Sequence, residues 1–136
     1  MKKNIIFVLA SITVLLINTA CTAGEEQEDE FQESAETEAN VIFTDEFIMF
    51  SSEGQFDKAI EYLDESLREE LPPSELEEIW NSMEQEYGSF VGKELDSYEQ
   101  KANEDTILMN GEFENGNVTF EFTINQNEKI TGFTYN

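Results

Sequence analysis

Apolar residues recur three and four apart from Val41 to Tyr87, and closer to every second position after Gly88. The first period predicts helices and the second strands. Phe43, Phe47 and Phe50 fall at helical spacing, with Gly54 as a stop. Phe56, Ile60, Leu63 and Leu67, with Ala59 beside them, form a second stripe that Pro72-Pro73 ends. Leu76, Ile79, Trp80, Met83 and Tyr87 make the clearest face, spaced i, i+3, i+4, i+7 and i+11. Ser74 with Glu77 predicts a capping box at the start of this third helix, and Gly88 a left-handed cap at its end. Its glutamates fall mostly on the other side, as a solvated face requires.

Residues 90–101 read as one irregular strand with no register to be extracted. The next two are registered by Asn115-Gly116, a strong hairpin signal. Taken as a two-residue turn, this pair sets Phe113 opposite Val118, Gly111 opposite Phe120, Met109 opposite Phe122 and Ile107 opposite Ile124. All four pairs share one face, and Glu112, Asn110 and Glu121 lie on the other; a slip of one residue would destroy that segregation. Gly111 leaves room for the Phe120 ring. The last strand, about Lys129 to Tyr135, is ambiguous: Ile130 argues for one facing, Phe133 and Tyr135 for the other. The expected fold is α+β, with about three N-terminal helices on one face of a curved, roughly four-stranded antiparallel sheet.

Upstream the chain is organised differently. Lys2 and Lys3 precede an apolar run, Ile5 to Ile17, broken only by Ser11 and Thr13. Thr19, Ala20 and the single cysteine, Cys21, follow. This is the layout of a secretory leader, and the run is shorter than the ~20 apolar residues of a comfortable membrane span. "INTAC" resembles a bacterial lipobox. That resemblance implies cleavage between Ala20 and Cys21 and a diacylglyceryl group on the Cys21 sulfur, so that the membrane itself is a partner. A plain signal peptide with an incidental cysteine, or an uncleaved anchor, are the alternatives. Residues 22–40 carry eight acids and no base, a composition that reads as a disordered spacer. The expected organisation is a leader over 1–20, a lipidated cysteine and acidic tether over 21–40, and a domain over 41–136.

Charge narrows the function. Seven Lys plus Arg against 31 Asp plus Glu give a net charge of −24. No surface of such a chain neutralises a row of phosphates, so nucleic acid is excluded as a partner. There is no histidine, which removes His-assisted nucleophilic catalysis and His-ligated zinc. No metal motif and no cofactor signature is present in the sequence.

Gly54, Phe56, Ala59, Leu71-Pro72, Leu76, Trp80 and Gly88 through Phe90 occur in one ordered set with Glu112-Phe113-Glu114 and Lys129-Ile130-x-Gly132. Over about residues 43–133 this set resembles domain-of-unknown-function family 3887. The resemblance implies a SnoaL-like, cystatin-like α+β roll, a cone with space between helices and sheet, in an extracytoplasmic protein. It transfers no catalytic residue.

The expectation is therefore a lipid-anchored, extracytoplasmic accessory module without catalysis, holding a small ligand or a protein partner. Trp80, Tyr87 and Tyr98 are the candidate cavity contacts, although Trp80 and Tyr87 continue the buried stripe and plain core packing is the stronger reading for them. Phe133 and Tyr135 are the candidate partner surface. Two other readings are a structural or dimerising spacer working through the last strand's aromatics, and an enzyme using a buried carboxylate in the cone.

Overall fold

The computed structural model describes residues 24–136, with side chains from Thr37 onward. Cys21, the leader and the expected cleavage point lie outside the described residues. The chain runs α1 (Gly24–Ser52), α2 (Phe56–Ala59), a 3-10 turn (Ile60–Tyr62), α3 (Glu65–Glu70), α4 (Pro73–Tyr87), then β1 (Phe90–Gln100), β2 (Glu104–Phe113), β3 (Gly116–Asn125) and β4 (Ile130–Tyr135). The four strands form one antiparallel sheet in the order β1-β2-β3-β4. The fold is α+β, and all of its helices precede the sheet.

α1 begins at Gly24, so the stretch read from composition as a tether is helical from that residue. Glu, Gln and Ala are good helix formers, and a helix propagates cheaply from a segment already held in place. That segment is the docked end, where Asn40, Thr44, Phe47, Ile48 and Ser51 are buried. The buried face is centred on these positions rather than on the expected Phe43-Phe47-Phe50 stripe. Thr44 donates to the Val41 carbonyl at 2.9 Å and Ser51 to the Phe47 carbonyl at 2.7 Å, so both hydroxyls enter the interior satisfied. Phe43 and Phe50 instead lie against Tyr62 at the flank, with ring centroids 6.1 and 6.2 Å away.

The expected second helix is broken into three pieces. Leu63 is extended, at φ −75° and ψ 150°, and bridges to Ile130 of β4, while the Asp64 N–H donates to the Ile130 carbonyl at 2.9 Å. Asp64 then restarts the helix as N-cap of α3, its carboxylate accepting the Leu67 N–H at 2.8 Å. The expected capping box of the next helix is not formed. α4 starts at Pro73, whose fixed φ and missing N–H suit the first helical position, and Pro72 makes no side-chain cap. Leu76, Trp80 and Met83 are buried along it, as expected. Gly88 ends it with φ 83° and ψ −172°, a positive-φ conformation that is essentially restricted to glycine but is not the left-handed helical one.

In the hairpin the facing is as expected and the pairing is not. Phe113 pairs with Gly116, Gly111 with Val118, Met109 with Phe120 and Ile107 with Phe122, two residues away from the expected register. A two-residue shift preserves which side chains point inward, so Ile107, Met109 and Phe113 are still buried with Val118, Phe120 and Phe122. The turn is Glu114-Asn115, and neither residue has positive φ, so the primed Asn-Gly turn is absent. The Asn115 N–H donates to the Tyr87 carbonyl at 2.8 Å and the Glu114 N–H to the Ser89 carbonyl at 3.0 Å. Contact with the end of α4 therefore overrides local turn chemistry.

β-Bulges explain the two strands that resisted reading. On β1 the register shifts between Phe90 and Gly92 and again between Leu95 and Ser97, which leaves Val91 and Asp96 as extra residues. On β4, Ile130 pairs with Ile124 but Gly132 with Thr123, so Thr131 is extra. That bulge turns Ile130 and Phe133 to the same, inner side.

Candidate functional site

The space between helices and sheet is a packed core. Trp80 is 2% exposed and stacks on Phe120, with centroids 6.0 Å apart and planes at 9°. Phe90 and Phe113 enclose the same ring at 5.4 and 6.1 Å. Trp80 Nε1 is buried among them without a hydrogen-bond partner. Tyr87 caps this cluster against Phe113 at 6.2 Å and passes over Gly116, where an added Cβ would lie 2.7 Å from its ring. The Glu86 carboxylate beside it raises the Tyr87 phenol. Trp80 and Tyr87 thus pack in the interior cluster.

The partner-surface pair also divides. Phe133 is half-buried and packs on Phe47 at 5.1 Å and on Phe122 at 5.3 Å. Tyr135 is 44% exposed at the end of β4, in line with Phe133 at 6.2 Å. One exposed ring at a strand end is not a contiguous apolar patch.

Tyr98 leads elsewhere. It lies on the inner side of β1, paired with Ile107 of β2, and its hydroxyl donates to Asp105 Oδ2 at 2.6 Å. Asn40 of α1 donates its Nδ2 to the same oxygen at 2.8 Å. Burial, followed by the Asp105 carboxylate, raises the Tyr98 phenol, while hydrogen bonds from Thr37 and Asn40 act in the opposite sense. Three elements thus meet at one carboxylate: α1, β1 and β2.

Asn40 and Asp105 of this cluster, but not Tyr98, line a polar recess of about 330 Å³. The recess lies at the end of the sheet, between the β1–β2 turn and the β3–β4 turn, with Asn40 and Asp105 on its inner side. The two turns are clasped together by Gln126 Nε2 donating to the Ala102 carbonyl at 3.0 Å. Asn125 shapes the second turn by accepting the N–H groups of Asn127 and Lys129 at 2.9 and 3.1 Å. Glu128 follows at φ +58°, the single non-glycine with positive φ among the described residues.

The recess is lined by carboxylates together with amide side chains and one lysine. Glu104, Asp105 and Glu128 supply carboxylates. Lys101 also borders it, but its ammonium lies 3.7 Å from Glu99 and 3.4 Å from Thr106 Oγ1. Asn40 is 6% exposed, and its Oδ1 is buried with no hydrogen-bond partner. The amide orientation follows from Asp105, since only Nδ2 can donate to a carboxylate. Leaving such a buried acceptor unpaired costs about 1–3 kcal/mol. Among the described residues no group of acids, cysteines or histidines is placed to hold a metal ion.

Asn40 and Asp105 were not singled out from sequence. A signal for Asp105 does exist: it occupies the apolar phase of β2, in line with Ile107, Met109, Gly111 and Phe113. A carboxylate in that phase must either be exposed at the strand end or find donors inside.

The fold and its recess define a small α+β domain with a filled interior and a polar site at one end of the sheet. The chain belongs to the family described as "Protein of unknown function (DUF3887)", whose model matches residues 44–133, more than half of its length. No curated protein and no solved structure matches the chain.

Proposed function

We propose that the chain is an extracytoplasmic lipoprotein, held on the outer face of the cell membrane by lipid on Cys21, whose domain is a non-catalytic accessory module for a ligand or protein partner. The observation that carries this is the position of the only cysteine, directly after Ala20 and at the end of the apolar run. A thioether-linked diacylglyceryl group supplies the two chains that stable membrane anchoring requires. The acidic stretch after it is repelled by anionic headgroups and holds the domain away from them. Among the described residues no helix is long and apolar enough to cross a membrane. The filled core supports the non-catalytic part: Trp80, Phe120 and Phe122 occupy the space in which a cone-shaped roll would hold a substrate.

Membrane fractionation of Cys21→Ala tests the anchor. The variant is expected in the soluble fraction and without incorporated labelled fatty acid. Tight membrane association that survives the substitution would refute lipid anchoring.

A further inference from the structure

We infer that Asn115 is a modification site: its side-chain amide is lost to attack by the Gly116 backbone nitrogen, leaving aspartate or isoaspartate in the β2–β3 turn. The chain contains two Asn-Gly pairs, Asn110-Gly111 and Asn115-Gly116. Glycine in second place leaves the attacking nitrogen unshielded by a side chain, so both pairs have the same intrinsic chemistry. The fold separates them. Asn110 lies inside β2, paired with Glu94 of β1 on one side and Thr119 of β3 on the other. Gly111 is buried against the Phe120 ring. Ring closure there requires rotation about a backbone bond held in two ladders at once, and so a local opening of the sheet. Asn115 is exposed in the turn, and Gly116 begins β3 at the last rung, opposite Phe113. The bonds that dock this turn on the end of α4 use the N–H groups of Glu114 and Asn115, both on the amino-terminal side of the Asn115 Cα. Rotation about the Asn115 Cα–C bond therefore disturbs the end of one ladder only. Glycine is needed at 116 for a separate reason, since a Cβ would lie 2.7 Å from the Tyr87 ring. The packing of Tyr87 thus keeps in place the residue that makes Asn115 reactive.

The step balances with water as its co-reactant. The Gly116 nitrogen gives up its proton and bonds to Asn115 Cγ, the Cγ–Nδ2 bond breaks, and the departing amide nitrogen leaves with that proton as ammonia. Water then opens the cyclic imide. Opening at the backbone carbonyl gives isoaspartate, and opening at the side-chain carbonyl gives aspartate. Either product adds a negative charge beside Glu114. Isoaspartate also inserts a methylene into the backbone between Gly116 and the N–H that donates to the Tyr87 carbonyl, which loosens the turn from α4.

The test is to age the full chain in neutral detergent at mildly alkaline pH and follow it by peptide mass spectrometry. Cleavage after Glu104, Glu112, Glu114 and Glu121 puts the two pairs on separate peptides, 105–112 and 115–121. In the folded chain, conversion at Asn115 is expected to run at least about tenfold faster than at Asn110, which must wait for local opening. In concentrated urea the two sites should convert at comparable rates, because the dipeptide is the same. Asn115→Ser should abolish the fast conversion and leave Asn110 as it was. The isoaspartate fraction, separated by anion exchange, should melt below the unconverted chain, whereas Asn115→Asp, which adds the charge without lengthening the backbone, should melt close to it. Conversion of Asn110 as fast as Asn115 in the folded chain, or conversion of Asn115 only in urea, would overturn the assignment of the site. An isoaspartate fraction that melts with the unconverted chain would overturn the loosening of the turn.

Discussion

Gly111→Ala is the sharpest test of how the sheet meets the helices. An ideal Cβ at Gly111 would lie 2.4 Å from Cε2 of Phe120, closer than any real contact, so the ring must move. It has little freedom to do so, being fully buried, stacked on Trp80 at 6.0 Å and on Phe133 at 6.1 Å. Overpacking of this kind costs about 1–3 kcal/mol. Replacing glycine inside a strand returns about 0.5–1 kcal/mol of backbone entropy. The net expectation is a loss of about 1–2 kcal/mol, or roughly 4–16 °C in Tm for a domain of this size. Phe120→Leu alone should also destabilise, by opening space beside Trp80. In the double variant the smaller side chain admits the new methyl group, so the two losses should fall short of additive by about 1 kcal/mol. The assay is denaturant unfolding followed by fluorescence, for which the single tryptophan reports directly on the Phe120 contact. Strict additivity, or a stabilised Gly111→Ala, would refute the close contact between Gly111 and the Phe120 ring.

Tyr62 donates to Glu46 Oε2 at 2.5 Å, and this bond, then burial and the Glu46 charge, push its phenol up to about 12. A folded-state value above the unfolded one of 10 means that the contribution to stability is complete below pH 10 and is lost as pH rises toward 12. Ultraviolet titration should show late tyrosine ionisation to which Tyr62 contributes alongside the raised Tyr87 and Tyr98, and Tyr62→Phe should remove the part near pH 12; an unchanged titration would contradict the hydrogen bond. Asp64→Ala should cost about 1 kcal/mol by uncapping α3, whereas Asp64→Asn should cost far less. Equal losses in the two variants, read by urea denaturation, would show that capping is not the role of this side chain.

The sequence made facing legible more readily than pairing. The inward set of the β2–β3 hairpin and the buried side of α4 follow from periodicity alone, because a whole row of side chains changes environment if the phase is wrong. Pair identities depend on a turn whose geometry is set by Tyr87 and Ser89, far from the hairpin's own residues. The split of the second helix has the same origin, since the strand Leu63 joins lies near the other end of the chain. The facing of β4 could not be settled while Thr131 was counted as a paired residue. Beside the recess, Tyr98 was legible as a candidate without a location. Asn40 was hidden because its neighbours across space, Asp105 and Tyr98, lie in two different strands.

The two margins of the sheet have unequal fates. The chain itself occupies one end of the β4 margin, where Leu63 and Asp64 meet Ile130. The β1 margin pairs with no further strand among the described residues, Val91 and Asp96 interrupt its ladder, and Glu94 and Glu99 add repulsion. A neighbouring copy trying to lay its own backbone along that margin would find missing rungs and like charge. For the anchored chain proposed above, such a border would keep crowded neighbours from fusing into a shared sheet.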